Sequence, residues 1–297
     1  MNSNGTTLSD LKAAKVLRSA RKGLGLSKRD VARELGLTVS YVSDLETAVA
    51  APTATDWYHF CELTCISTDS LLVGQIERGG MATLDHDTYG LNFNIPQEYR
   101  EARGSKIKAM APFLEFAELH LGPKEFEKYL VSKAFDPDFF VDLDQQVNLR
   151  FCMDLSRLLI QQQYLTPESL DALTSLATRS RTQGKFHQLY SDARDDSSLL
   201  FEVLSGARGY ECNFDYVIEA GDSRSFDFSV RPEAHLAQFN YRDDSTLGDF
   251  LCRYKKSYFE KFVGLSVRPT HAAQLEELEC HYRGAPKCTY RLNRMAS

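Results

Sequence analysis

The sequence lacks any apolar run of the roughly 18–20 residues that a membrane-spanning helix requires. Its polar opening, MNSNGTTLSD, also lacks the apolar segment of an export signal. We therefore expect a cytoplasmic protein with no membrane partner. In that compartment the seven cysteines should be reduced thiols and not a disulfide framework. A chain of 297 residues with 43% hydrophobic and 26% charged residues is long enough for two or three globular domains.

The familiar catalytic signatures are missing as well. The sequence contains no phosphate-binding glycine loop, no GxSxG, no HExxH and no zinc-deaminase motif. It has no internal repeat and no low-complexity tract. These absences predict that the protein is not an enzyme.

Charge is distributed unevenly along the chain. The formal net charge is −6, yet residues 1–33 carry eight Lys or Arg against two Asp, and residues 34–70 carry six acids and no Lys or Arg. Affinity for phosphate depends on the local potential, so a basic patch can bind nucleic acid on an acidic protein. The net charge therefore does not exclude a DNA-binding protein.

Residues 8–72 have the helical spacing and capping residues of five short helices. Within KRDVARELGLTVSYVSDLET, residues 28–47, Ala32 is small enough for two helices to cross, and Gly36 can adopt the positive φ that a sharp turn needs. Ser27 and Thr38 are placed to cap the two helices. Apolar residues at the remaining core positions are Val31, Leu35, Leu37, Val42 and Leu45.

This pattern resembles the phage-repressor-like, or xenobiotic-response-element type, helix-turn-helix family. The resemblance rests on Leu26-Ser27, Ala32, Gly36, Thr38 and Glu46, with Lys28 and Thr47 departing from the usual Gln and Gly. It implies that the third helix enters the major groove of a double-stranded DNA operator and that the protein binds as a homodimer. The residues implied to read bases are Val39, Ser40, Tyr41 and Asp44.

The same resemblance implies a set of backbone contacts to DNA. Ser27, Lys28 and Ser43 would contact phosphate, with Arg21 and Lys22 nearby. Glu46 is expected to be a buried structural partner of Arg18 or Arg21. The alternative is a five-helix module that contacts only proteins.

Beyond residue 75 the composition changes. Residues 76–95 have no periodicity and are expected to be a linker. Amphipathic patterns then predict helices over 106–121, 124–134, 143–162 and from 167 onward, the helical part of a sensor and dimerisation region at 96–205. Alternation predicts strands from about 210, and a helix over 247–262 is followed by a hairpin of 275–282 and 287–292. The predicted fold is an all-α five-helix DNA-binding head, residues 1–75, plus an α+β C-terminal sensor domain, with the ligand-binding part at 206–297.

Two cysteines flank the turn of the predicted hairpin. Cys280 and Cys288 would face each other across a turn that contains Gly284 and Pro286, and thiolates together with a carboxylate can complete a tetrahedral zinc site. Glu277 and Cys280 lie on opposite faces of a regular strand, so Glu277 could join the two thiols only through a bulge or at the end of the strand. Glu276, which lies on the same face as Cys280, is therefore an alternative zinc ligand to Glu277. Two other interpretations of Cys280 and Cys288 remain open, namely two buried thiols without metal and a redox pair.

The spacing of Glu277, Cys280 and Cys288 resembles the end of the four-vinyl-reductase-type domain and of the sensor domains of phenol-responsive activators. The resemblance implies a structural zinc ion held by these three residues and by an earlier cysteine, for which Cys252 is the available thiol. It also implies a dimer and a small apolar ligand enclosed between helices and a sheet. Aromatic residues available for such a pocket or for the core are Phe214, Tyr216, Phe226, Phe228, Phe239, Tyr241, Phe250, Tyr254, Tyr258, Phe259 and Phe262.

These features together predict a one-component transcription regulator with a DNA-binding head and a body that senses a small-molecule effector. Two alternatives stay open. The body could bind a nucleotide-type effector such as a cyclic dinucleotide, for which residues 179–181 (RSR) offer an arginine cluster. The chain could also be a protein-interaction adaptor without an effector.

Overall fold

The computed structural model describes residues 8–78, 92–101, 104–179, 200, 203–209, 211–221, 225–234, 245–263 and 273–294. The chain forms two compact units. The N-terminal unit consists of Met1–Pro96 and Lys124–Gln145, and the C-terminal unit consists of Gln97–Pro123 and Gln146–Ser297. No helix within the described ranges has the length and apolar character needed to cross a membrane.

The described helices, in chain order, are α1 (Leu8–Gly23), α2 (Lys28–Leu35), α3 (Val39–Glu46), α4 (Ala54–Thr64), α5 (Thr68–Val73), α6 (Gln97–Arg100), α7 (Ile107–Leu121), α8 (Pro123–Ser132), α9 (Leu149–Gln161), α10 (Leu170–Ala177) and α11 (Ser245–Val263). The strands are β1 (Ser105–Lys106), β2 (Gln146–Val147), β3 (Phe214–Gly221), β4 (Ser225–Pro232), β5 (Ala273–Glu279) and β6 (Cys288–Arg294). Short 3₁₀ helices cover Pro137–Val141, Ala207–Gly209 and His281–Arg283.

The five-helix head predicted from the sequence is present as α1–α5. The hydroxyl oxygens of Ser27 and Thr38 accept hydrogen bonds from the backbone N–H groups of Asp30 and Tyr41, which begins α2 and α3 at the predicted residues. Gly36 ends α2 with φ of 67°, a conformation that costs a residue with a Cβ. The predicted apolar residues meet in one core, in which Val31, Val42 and Leu45 are buried and Leu35 and Leu37 are partly buried.

A later segment of the chain completes the N-terminal unit. Backbone hydrogen bonds join Ile76 to Val141 and Leu143, at 2.8 and 2.9 Å. Arg78 is fully buried, donates to the carbonyls of Thr64 and Cys65 at the end of α4, and lies 3.6 Å from Asp142. The predicted boundaries differ from this arrangement. Residues 76–78, expected in the linker, and 124–145, expected in the helical part of the body, belong to the unit that carries the head.

The C-terminal unit combines helices with two antiparallel sheets. The larger sheet has the strand order β3-β4-β6-β5, and β1 pairs with β2. Phe228 of β4 stacks on Tyr290 of β6 and packs edge-on against Phe259 of α11, so that helix covers one face of the sheet. The head and this mixed unit match the predicted division into an all-α part and an α+β part.

Several predicted boundaries in the body were wrong. The helix expected over 143–162 begins only at Leu149, because the Asn148 side chain caps it and residues 146–147 pair with β1. The helix expected from Pro167 begins at Leu170, after a turn in which Ser169 and Thr166 bond each other. In the hairpin, β5 ends at Glu279 and residues 281–283 form a 3₁₀ turn.

Candidate functional site

The first candidate site is the exposed end of α3. Val39 is 45% exposed and Ser40 is exposed, whereas Val42 and Leu45 on the other face of the helix are buried. Tyr41 and Asp44 are half-buried. The geometry therefore leaves the N-terminal turn of a short, capped helix facing outward, as reading of a DNA groove requires.

Residues beside this end of α3 are held by side-chain hydrogen bonds. Lys28 Nζ donates a hydrogen bond to Ser43 Oγ at 2.8 Å. This bond joins the start of α2 to the middle of α3. The Tyr41 hydroxyl donates to Asp56 Oδ2 at 3.0 Å. Desolvation and this bond to Asp56 raise the pKa of Tyr41. The Tyr41 hydroxyl is therefore engaged within the head.

Two of the cations predicted near phosphate are engaged inside the N-terminal unit. Arg21 is buried and forms a two-pronged ion pair with Glu46, with N–O distances of 2.5 and 3.0 Å. Lys22 binds Asp136 and Asp138 at 2.6 and 2.7 Å. The predicted role of Glu46 as a buried partner of Arg21 is thus observed. Ser27, the cap of α2, and Arg29, in its first turn, are exposed.

The second candidate site is a group of three thiols in the C-terminal unit. The sulfur atoms of Cys252, Cys280 and Cys288 all lie within 4.8 Å of one another, and all three residues are buried. The Cys280–Cys252 and Cys252–Cys288 sulfur distances are 3.3 and 3.7 Å. Thiolates bound to one tetrahedral zinc ion lie about 3.8 Å apart, given Zn–S bonds of about 2.3 Å. The cluster therefore has the dimensions of a metal site.

A close helix approach brings Cys252 to the hairpin. A Cβ on Gly248 of α11 would lie only 2.1 Å from Tyr282 in the 3₁₀ turn of residues 281–283. Glycine at this position thus lets the first turn of α11 contact the turn between β5 and β6. Cys252, one turn further along the helix, consequently reaches Cys280 and Cys288.

Glu277 lies near the thiols but outside their cluster. The register of β5 shifts between Glu277 and Glu279, which is a bulge of the kind that the sequence allowed. Glu277 Oε2 pairs with Arg283, whereas Oε1 is buried and finds no hydrogen-bond partner among the described residues. Its rival Glu276 is exposed. A buried carboxylate oxygen without a donor is costly, and a cation is one group that could satisfy it.

The electrostatics of the cluster favour one thiolate. The bond with Cys252, the nearby charge of Lys255 and the His281 N–H together lower the pKa of Cys288. The bond with Cys288 and burial raise the pKa of Cys252. Burial also raises the pKa of Cys280. A cation bound among the sulfurs would stabilise all three as thiolates.

The third candidate site is a cavity of about 110 Å³ in the C-terminal unit. Its walls are mostly apolar and come from α7, α9, β3 and α11. Aromatic residues of the wall are Phe113, Phe214, Tyr216, Tyr254, Tyr258 and Phe259. Five of these belong to the aromatic set singled out in the sequence. Of the remaining predicted aromatics, Phe228 and Phe262 are core residues, and Phe239 and Tyr241 lie outside the described residues.

Two charged residues line the cavity, and sequence reasoning missed both. Lys255 Nζ lies 2.9 Å from the centroid of the Phe214 ring, and burial lowers the pKa of Lys255. Glu211 accepts hydrogen bonds from Ser105 and from the Asn213 N–H. A signal for Lys255 was available, because it lies four residues from both Leu251 and Phe259 and so interrupts the apolar face of α11.

The arginine cluster that motivated a nucleotide effector gains no support from the described geometry. Arg179 pairs with Glu115 at 3.4 Å. Ser180 and Arg181 lie outside the described residues.

Comparisons with known proteins relate two parts of the chain to others. Two solved structures similar to this chain are a mutant H-NOX protein from K. algicida in the unliganded Fe(II) state and a mutant H-NOX protein from S. oneidensis in the Fe(II) ligation state. Each shares 11% identity and covers 65% of this chain and 97% of its own, with TM-scores of 0.45 and 0.44. A search of curated proteins finds no match. A family model described as helix-turn-helix matches residues 17–63, from the middle of α1 to the end of α4. Together with the geometry of α2 and α3, this match supports a DNA-binding transcription regulator.

Proposed function

We propose that the protein is a one-component regulator that recognises an operator through α3 and responds to a small molecule bound in its C-terminal unit. The observation that carries the DNA-binding part is the exposed N-terminal turn of α3, fixed by the Thr38 cap and by the turn at Gly36. Val39, Ser40, Tyr41 and Asp44 are proposed to face the base edges.

The proposed phosphate contacts are Ser27, Lys28 and Ser43, which lie at the start of α2 and beside it on α3. Arg21 and Lys22 are bound to acids of the same unit and are proposed to position the helices instead. Arg29 is exposed in the first turn of α2, so it takes the place of these two cations at the DNA backbone.

Salt dependence of DNA binding tests this assignment. A specific site is first selected from a random duplex pool with the full chain, and affinity is then measured by fluorescence anisotropy at several salt concentrations. We expect Arg29→Gln to lower affinity for specific and random DNA alike and to reduce the salt slope by about one. Lys128→Gln, at an exposed cation of α8, is the matched control. Absence of any salt-dependent DNA binding would favour the adaptor instead.

A Tyr41 series separates base reading from folding. Tyr41→Ala is expected to weaken specific binding more than random binding, because the ring contacts a base. Tyr41→Phe removes only the hydroxyl, which bonds Asp56 and the carbonyl of Ala51, and should keep discrimination while costing about 1 kcal/mol of stability. Equal loss on both kinds of DNA in the Tyr41→Ala variant would remove Tyr41 from the reading residues.

In the C-terminal unit the aromatic cavity is the proposed effector site. Mostly apolar cavities with a few convergent polar groups are the usual form of small-molecule sites. An effector changes operator affinity only if it binds one arrangement of the protein more tightly than another. Two copies of the chain are proposed to bind half-sites about 34 Å apart, as repressor-like domains do.

A structural zinc ion is proposed at the thiol cluster. Cys252, Cys280 and Cys288 supply three sulfur ligands, and Glu277 Oε1 is the proposed fourth ligand because it is buried without a donor. With four protein ligands the ion would be closed to substrate and would serve to join α11 to β5 and β6.

A further inference from the structure

The cavity in the C-terminal unit combines an aromatic lining with a single inward cation. Lys255 lines it, and among the described residues no carboxylate lies within ion-pair distance of its ammonium group. Its close contact is the face of the Phe214 ring. Glu211 and the thiols of Cys252 and Cys288 act on this cation through space, so the carboxylate of a ligand would add a direct partner.

The carboxylate that could have served Lys255 is occupied elsewhere. Glu211 lines the same cavity but accepts hydrogen bonds from Ser105 and from the backbone N–H of Asn213. Asn213 also donates to Ser105, so these three residues form a closed polar group at the wall. The cavity wall therefore contains one carboxylate that is hydrogen-bonded within the wall and one ammonium group whose close contact is an aromatic ring.

The size of the cavity limits its occupant. A dry engineered cavity of about 150 Å³ binds benzene. The present volume of about 110 Å³ is smaller, so it limits the occupant to no more than one ring. The rings of Phe113, Tyr254 and Tyr258 supply flat apolar walls for such a ring.

We propose that the effector is a small aromatic monocarboxylate whose carboxylate binds Lys255 and whose ring lies among the cavity aromatics. This inference rests on the proposed effector site and names its ligand class. A charge-assisted bond inside a protein is stronger than one between neutral groups. Glu211 lines the same cavity, so we expect a second carboxylate on the ligand to weaken binding.

The test uses calorimetric titration of the full chain with benzoate, benzamide and phthalate. These probes share a ring and differ in charge. We expect benzoate to bind at least tenfold more tightly than benzamide, and phthalate to bind no better than benzamide. Lys255→Met should weaken benzoate at least tenfold and leave benzamide within about threefold.

Lys256→Met is the matched control, because Lys256 is the next residue of α11 and pairs with Glu260 at 3.6 Å. It should retain the preference for benzoate. Equal binding of benzoate and benzamide, a preference that persists in Lys255→Met, or binding of neither probe would overturn the inference. Operator binding of the same samples is measured separately. If the probes do not behave as expected but operator binding is retained, only the proposed ligand class is wrong. If probes bind as expected and no operator is recognised, the regulator proposal fails.

Discussion

At the scale of single residues, charge pairing decides which cations of the head remain for DNA. Arg21 and Glu46 lie 25 residues apart and form a buried pair behind α3. Removing one partner of such a pair leaves the other charge buried without compensation. Glu46 therefore stabilises the helix-turn-helix and does not contact DNA itself.

We expect Glu46→Gln to lower the free energy of unfolding of the head by about 3 kcal/mol. Unfolding is followed in urea by the fluorescence of Trp57, the only tryptophan in the chain, which packs on the head core. Glu34→Gln, which removes an exposed ion pair with Arg33, should change the free energy of unfolding by less than about 0.5 kcal/mol. Similar losses in the two variants would contradict the role given to Glu46.

At the scale of elements, the 3₁₀ helix at Pro137–Val141 docks on α1 through charge. Asp138 is buried and binds Arg18 at 2.6 and 2.7 Å and Lys22 at 2.7 Å. Burial alone would raise the pKa of Asp138, but the bonds from Arg18 and Lys22 outweigh it and lower that pKa. The docked segment therefore gains stability from an ionised Asp138.

This arrangement predicts an acid-sensitive contact. The folded pKa of Asp138 is below its unfolded value of about 3.9, so its contribution is complete above that pH and is lost as pH falls through the folded pKa. Asp138→Asn should lower the free energy of unfolding by about 2 kcal/mol at pH 7, as measured by Trp57 fluorescence. The difference in this free energy between the variant and the wild type should shrink below about pH 4. Glu125→Gln, at an exposed pair on α8, is the control. A difference that stays constant with pH would refute the charge mechanism.

The approach of α11 to the hairpin is tested at Gly248. Gly248→Ala places a methyl group against Tyr282 and should destabilise the C-terminal unit by about 1–3 kcal/mol. We also expect faster reaction of the buried thiols with a thiol reagent. Gly209→Ala, where a Cβ meets no atom within 4 Å, is the matched control. Unchanged thiol reactivity in Gly248→Ala would show that the close approach does not hold the cluster.

The elements that could be predicted from the sequence are those fixed by neighbours along the chain. Ser27, Gly36 and Thr38 act within four residues of their own positions, so the bounds of α2 and α3 followed from local chemistry. The acidic partners of Arg18 and Lys22 lie more than 110 residues away. No local pattern identifies such a pair, and the segment 124–145 was accordingly assigned to the body.

At the scale of the whole molecule, the thiol cluster was predicted as a group although its members lie up to 36 residues apart. A resemblance carried this prediction, and a bulge or strand end beside Glu277 was a stated requirement of it. Lys255 was missed because no resemblance pointed to it and its aromatic helix was interpreted as core.

Zinc should be measurable in the intact chain. We expect about one zinc ion per chain by mass spectrometry of the purified protein. Chelation should lower the calorimetric unfolding temperature of the C-terminal unit by about 5 °C or more. Cys280→Ser should have the same effect, with no further change on chelation, whereas Cys65→Ser in the head should have none. If the purified protein contains no zinc and chelation leaves its unfolding temperature unchanged, the three cysteines are buried thiols that bind no metal.

The segment that returns to the head has a consequence for engineering. Regulators are often recombined by joining the DNA-binding module of one to the sensor of another at the first linker. Here a junction between residues 79 and 96 would separate Arg18, Lys22 and Arg78 from the acids at 136–142. A transplanted head would lack the acids that bind Arg18 and Lys22, so we expect a working chimera to need both stretches from the same parent.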